Sequence, residues 1–327
     1  MQKWLKKSTF TLWLFTVVFL AFLFPEPASN GGVLHSEITT KLGVWLIFFL
    51  RGLSLRTREL ALGYKPMRLH AFVLFWNYLG FPLVAGALLI PFAVVLPAEF
   101  RLAFWLLAIM PTTIASAVTF TTLAQGNASN AIVSTVLSNV LSVFIVPAIA
   151  VAYLTFETSV SVPLLPLLSK IAALILVPLI AGQLLRGMFA VKAAIIGKQA
   201  RWISSVIILF IVHAAFANSI RSGHLDALSL STFTAVLGGV LLLLFLVNLL
   251  VWWTAGFIRL SHSQQIAAFY CASQKSLATG LPLAMAILAT ASEVVDPATT
   301  LIPLLLFHPI QLVLAGALTK RFSKLRF

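Results

Sequence analysis

Charge is what this sequence has least of. Only 9% of its 327 residues are Asp, Glu, Lys or Arg, against 61% hydrophobic, where a soluble domain carries roughly 25% charged residues. Acid is scarcer still, with eight carboxylates against 22 basic residues. So few charges cannot solvate the surface of a chain this long, which excludes a water-soluble protein. Cysteine occurs once, at Cys271, and that excludes an intrachain disulfide or a Cys-x-x-Cys metal or redox site. There is also no phosphate-binding glycine loop, no cluster with metal-ligand spacing and no nucleophile with its partners, so nothing points to an enzyme or to a bound cofactor.

What is abundant is apolar sequence, in runs of the roughly 20 residues that cross a bilayer. Ten spans are predicted. The first five are Phe10–Phe24, Ile38–Leu55, Leu69–Val95, Leu102–Ala124 and Ala128–Leu154. The second five are Leu164–Phe189, Trp202–Ile220, Leu230–Ile258, Gln265–Ala289 and Thr300–Leu318. The predicted fold class is therefore an all-α polytopic membrane protein, with residues 1–327 forming one membrane domain. The opening MQKWLKKSTFTLWLFTVVFLAFLF has the charged and apolar parts of a signal peptide, but the later spans require it as a retained first helix.

The net charge of +14 does not mark a nucleic-acid binder, because the basic residues sit at the ends of apolar runs and form no stripe. In the ten-span arrangement 17 of the 22 basic residues fall on one side and four on the other, with Lys275 left over. Positive charge accumulates on the cytoplasmic side, so both termini are placed in the cytoplasm and the chain in the plasma (inner) membrane. Seven acids fall in outward connections and Glu59 in an inward one. No carboxylate lies inside a span.

The spans divide five plus five, about 10–154 and 164–318. Because five is odd, the second set enters the membrane from the opposite side. The fourth span has a polar, proline-containing centre, IMPTTIASAVTFTT, and its counterpart, the ninth, has CASQKSLATGLP. Interrupted helices in corresponding positions of an inverted repeat point to the midplane site of a secondary transporter. Pro111, and Pro282 with Gly280 beside it, are the expected helix breaks. Freed backbone groups cannot face lipid, and line a protein cavity instead. Thr112, Thr113 and Ser116 can satisfy some of those in the fourth span.

Lys275, flanked by Ser273, Gln274 and Ser276, is the sharpest feature. A lysine at the bilayer centre costs roughly 2.5–3.5 kcal/mol. With no acid in any span, its partners are helix C-terminal carbonyls, hydroxyls or a bound anion; the competing reading is a side chain that snorkels to the interface. His213 and His308 are proton relays or, preferably, hydrogen-bonded structural histidines. Asn77, Asn130, Asn139, Asn248, Gln183 and Gln311 either line a pathway or join helices.

The stretches MPTTIASAVTFTTLAQGNASNA and CASQKSLATGLPLA resemble the bile acid:sodium symporter family, in its sodium/bile acid cotransporter 7-like branch, and the resemblance runs over nearly the whole chain. It implies ten helices in two inverted five-helix repeats. Spans one, two, six and seven would form a panel domain, and the other six a core in which the discontinuous helices four and nine cross. In sodium-coupled members of the family a ninth-helix glutamate and a Gln-Asn pair help build two sodium sites. Aligned on Gln274, this chain has Tyr270 in place of the glutamate and Lys275 in place of the asparagine. Gln274, Ser116 and Thr135 remain from the implied site, with Asn77 in place of a glutamine, so sodium at Ser116, Thr135 and Gln274 stays open as an alternative while two-sodium coupling is not expected. The economical expectation is that Lys275 replaces a sodium ion.

Together these features predict a secondary transporter of an organic anion, such as a bile-acid-like or other amphipathic acid, working by alternating access. Its partners would be that small molecule and the lipid bilayer, with no nucleic acid. A membrane regulatory protein that keeps the fold without transporting is the alternative.

Overall fold

In the computed structural model, residues 2–54, 64–92, 96–158, 164–188, 193–289 and 296–322 are described. Among them the chain is helical, with no strand. The helices are α1 (Gln2–Leu23), α2 (Ser36–Ser54), α3 (Met67–Phe75), α4 (Phe81–Phe92), α5 (Ala98–Ile109), α6 (Ile114–Leu123) and α7 (Ala128–Thr158). They continue as α8 (Leu164–Met188), α9 (Ala193–Arg221), α10 (Leu230–Ala255), α11 (His262–Ser273), α12 (Leu277–Leu288) and α13 (Pro297–Phe322). Each predicted span overlaps one helix or a broken pair in the described residues, with ends that differ by several residues.

By length and apolarity, five described helical stretches can cross a membrane: Met67–Phe92, Ala128–Tyr153, Trp202–Arg221, Leu230–Ile258 and Pro297–Thr319. The pair α5 and α6, bent by 56°, makes a sixth if taken as one span. This is an integral, multi-pass membrane protein. Many of the basic residues behind the predicted orientation, among them Arg56, Arg58 and Lys192, lie outside the described residues, as do Glu59 and Glu293.

Local chemistry sets the helix ends. Asn127 Oδ1 accepts the Asn130 N–H at 3.0 Å and caps α7. Ser261 and Gln264 form a reciprocal capping box at α11, which satisfies two otherwise orphaned donors. Asp296 caps α13, its Oδ2 accepting from Thr299 N at 2.8 Å and Thr299 Oγ1 at 2.7 Å. A carboxylate here also complements the positive end of the helix dipole.

The chain divides into two compact units. The first comprises Met1–Leu55, Val160–Ser229 and Leu281–Leu301. Within it α2 and α8 approach closely because Gly52 and Gly182 lack side chains. A Cβ on Gly52 would collide with the Leu179 carbonyl, and one on Gly182 with the Phe49 carbonyl. Small residues at such contacts are how membrane helices gain packing without a hydrophobic drive. His213 bridges α9 to α1, its Nδ1 donating to Val17 O at 3.0 Å, so it serves as a hydrogen-bonded structural histidine. Ser219 Oγ donates to Asp296 Oδ2 at 2.8 Å.

The second unit comprises Arg56–Ser159, Leu230–Gly280 and Ile302–Phe327. Between α3 and α4 the helix widens into a π-turn at Trp76–Gly80. That turn and the breaks at 110–113 and 274–276 lie in this unit.

Candidate functional site

The first break follows from Pro111. Without an N–H it cannot continue the helix ladder, and Met110 turns to extended backbone with ψ 148°. The Thr112 N–H, which an unbroken helix would give to Ala108, goes instead to Ser138 Oγ on α7 at 3.2 Å. Thr113 is extended and α6 begins after it.

The second break lies four to eight residues before the predicted position. α11 ends at Ser273, Gln274 is extended with ψ 148°, and α12 begins at Leu277. Ser276 caps α12, its Oγ accepting the Thr279 N–H at 3.1 Å. Gly280 and Pro282, expected as breakers, both lie inside α12. The Gly280 expectation is corrected by packing: a Cβ there would lie 3.0 Å from Met110 Cγ and Sδ, so the glycine permits close approach. Prolines are tolerated inside membrane helices where other groups take up the freed carbonyl, and Pro91, Pro147, Pro178, Pro303 and Pro309 sit within helices as Pro282 does.

The two breaks are stitched together. Ser276 N–H donates to Pro111 O at 2.8 Å. Asn139, on α7, donates from Nδ2 to Thr112 O at 2.8 Å, and its Oδ1 accepts from Thr279 Oγ1 at 2.5 Å. One side chain thus holds both broken helices.

Lys275 sits at this junction with no exposed surface. Its Nζ donates to Ala108 O at 2.6 Å, Asn77 O at 2.9 Å and Met110 O at 2.9 Å. Each carbonyl is free for a reason written in the chain. Those of Ala108 and Met110 lose their helical donors at the Pro111 break. At Asn77, the Phe81 N–H that an α-helix would deliver is taken by Trp76 O in the π-turn, and the next residue, Pro82, has no N–H. The ring of Phe81 covers the ammonium, with Nζ 4.1 Å from its centroid, a cation–π contact strengthened by exclusion of water. An ammonium has three protons to donate, and all three are used. Lys275 does not snorkel, and in this conformation it has no donor left for a bound anion; of the predicted partners, the carbonyls hold it.

The backbone of Lys275 is held from α13. Gln311 Oε1 accepts the Lys275 N–H at 2.8 Å, and Gln311 Nε2 donates to Lys275 O at 2.7 Å. The amide replaces the helical bonds the break removed. Gln311 Nε2 also meets His308 Nδ1 at 3.0 Å.

Beside the junction, Ser116 in the first turn of α6 donates to Gln274 Oε1 at 2.8 Å and lies 2.9 Å from Thr113 Oγ1. Gln274 Nε2 is buried without a partner. The first N–H groups of a helix also lack intrahelical acceptors; in α6 they belong to exposed Ile114 and Ala115 and to buried Ser116 and Ala117.

The structure therefore gathers Lys275, Gln274, Ser276, Ser116, Thr112, Thr113, Asn77 and Pro111 around the breaks, and Ser273 ends α11 beside them. Three predicted candidates are turned elsewhere. Tyr270 donates to Ala315 O at 3.3 Å, meets Thr319 Oγ1 at 3.1 Å, and stacks on Phe120; its ring is satisfied against α13 and α6. Asn130 donates to Lys65 O at 2.7 Å near the start of α7. The Thr135 hydroxyl back-bonds to Ile132 O at 2.9 Å, and only its carbonyl reaches Asn139. From sequence Asn139 and Gln311 are read only as lining a pathway or joining helices, and Ser138 and Phe81 are not read at all. Their only signal was polarity in an apolar helix, which the first three share with many residues and Phe81 lacks.

Residues 8–324 match the SBF-like CPA transporter family. An uncharacterized protein of Pseudomonas aeruginosa is 32% identical over 322 residues, 98% of this chain and 94% of its own. Sodium/bile acid cotransporter 7 of Danio rerio is 30% identical over 319 residues, covering 96% and 93%. A putative symporter of Escherichia coli, YfeH, is 29% identical over 321 residues, covering 96% and 92%. Matched along nearly its full length, the chain belongs to the SBF-like CPA transporter family, that of the bile acid:sodium symporters.

Proposed function

We propose that this membrane transporter carries an organic anion by alternating access, with Lys275 as a built-in cation at the junction of its broken helices. The observation that carries the reading is the saturated ammonium: Nζ donates to three carbonyls released by the Pro111 break and the π-turn. Carbonyl oxygens converging on a compact cation are what a sodium site offers. The remaining residues do not favour tight sodium binding. No carboxylate stands among them, and an ammonium already holds the carbonyls.

The substrate's anionic group is assigned to the first turn of α6, where free helix N–H groups and the dipole favour negative charge. The unpartnered Nε2 of Gln274 supplies a further donor there. Lys275 acts on the anion through space, holding the junction positive. The names of the relatives, a bile acid cotransporter among them, favour an amphipathic acid as the substrate class.

The ten-helix inverted repeat with panel and core belongs to the same proposal. In its support, α1, α2, α8 and α9 fall in one compact unit, and α3 to α7, α10 and α11 in the other. Residues Leu281–Leu301 go with the first unit, a departure from a core that keeps spans nine and ten whole. Both termini are placed on the cytoplasmic side of the plasma membrane.

The test is a thermal-shift screen of the purified protein against bile acids and other amphipathic carboxylates and sulfonates, with and without sodium, followed by proteoliposome uptake of any hit. A stabilising anion that loses its effect in Gln274→Leu and is taken up supports the proposal. Binding without directional flux favours the regulatory alternative, and no stabilisation by any anion rejects the substrate class.

A further inference from the structure

We infer that His308 is a proton sensor that controls how firmly the break between α11 and α12 is held. The inference goes beyond anion transport and stands on the hydrogen bonds of one amide.

Gln311 is buried and fully committed. Its oxygen accepts from Lys275 N at 2.8 Å, and its nitrogen donates to Lys275 O at 2.7 Å and meets His308 Nδ1 at 3.0 Å. An amide nitrogen carries two protons and no acceptor lone pair. One proton points to Lys275 O, so the other points to His308. The Nδ1 of His308 must therefore offer a lone pair, which makes the ring neutral with its proton on Nε2. Rotating the amide to reverse its polarity does not help, because it would set a donor against the Lys275 N–H and an acceptor against the Lys275 carbonyl.

Protonation of His308 puts a second N–H against the Gln311 N–H. A donor–donor pair cannot persist in a buried site, so either the imidazolium or the amide must move. Moving the amide releases both bonds that hold the Lys275 peptide. Charge acts in the same direction: the titratable groups reached by the hydrogen bonds of α13 in this unit are the Lys275 ammonium, through its backbone, and the neutral Tyr270 phenol. Among the described residues no carboxylate pairs with His308; the acceptor within its reach is the Lys275 carbonyl, for which an imidazolium competes with Gln311 Nε2. His308 is itself half-buried, within the membrane-spanning stretch of α13. Low pH thus loosens the break, and high pH tightens it.

The test reads the break directly and needs no substrate, so its failure is separable from failure of the anion reading. Hydrogen exchange of peptides covering residues 270–280 is followed by mass spectrometry in lipid nanodiscs from neutral pH to well below the ordinary histidine value of about 6.5, with correction for intrinsic rates. In the wild type, protection should fall roughly tenfold or more on acidification, the change expected when one buried hydrogen bond is lost. His308→Asn and His308→Phe cannot titrate and should abolish the pH response whatever their absolute protection, and Gln311→Leu should abolish it by removing the clamp. A wild-type profile without pH response, or a response retained in either His308 variant, overturns the inference.

Discussion

Replacing Lys275 with methionine keeps the volume of the side chain and removes its charge and all three protons. The carbonyls of Ala108, Asn77 and Met110, now 2.6–2.9 Å from Nζ, would then face each other with no donor. Hydrogen bonds to charged groups contribute about 1.5–3 kcal/mol each, so three amount to about 5–9 kcal/mol. Against this stands the cost of burying an ammonium, several kcal/mol, which the variant no longer bears. The cation–π contact with Phe81, about 2 kcal/mol when desolvated, adds to the loss. The net destabilisation expected is about 2–5 kcal/mol. At about 2–4 °C per kcal/mol for a chain somewhat smaller than this one, the melting temperature in detergent should fall by roughly 4–20 °C. Lys275→Arg should lie between, since it keeps the charge but presents a planar fork to carbonyls arranged around a compact ammonium. If Lys275→Met melts at the wild-type temperature, the carbonyls do not depend on the ammonium, and its place as the internal cation is refuted.

Three further outcomes follow from other parts of the molecule. Gly182→Ala should destabilise by about 3 kcal/mol, because its Cβ meets the Phe49 carbonyl, whereas Gly238→Ala, with nothing within 4 Å of its Cβ, should be neutral or stabilising; equal melting temperatures for the two would contradict the close α2–α8 packing. Replacing potassium by sodium at constant ionic strength should shift the melting temperature little, by less than linkage gives for a tight ion, and a saturable sodium-specific rise at submillimolar concentration would refute the reading of Lys275 as the ion's replacement. A reporter fused after Phe327 should be cytoplasmic and one inserted in 157–163 external, and finding both on one side would end the five-plus-five arrangement.

Solvent and sequence alone determined much of this protein. A chain with 9% charge and long apolar runs has only the bilayer in which to fold, and within it helices are the way such runs satisfy their backbone. That is why the helical stretches could be placed from hydropathy. Pro111 also spoke for itself, because a missing N–H is a property of one residue. So did the identity of Lys275's partners as a class: with no acid in any span, they had to be neutral acceptors or a ligand. The tertiary structure decided which acceptors. Asn77 lies 198 residues from Lys275 in sequence, and its carbonyl is available only because a π-turn diverts the Phe81 N–H and Pro82 has none to offer. The second break escaped the proline signal for the same reason. Its position is set by Gln311, a side chain 36 residues away that takes over the bonds of the Lys275 peptide. Sequence shows where a backbone group is released; only the folded chain brings the distant donor or acceptor that makes its release tolerable.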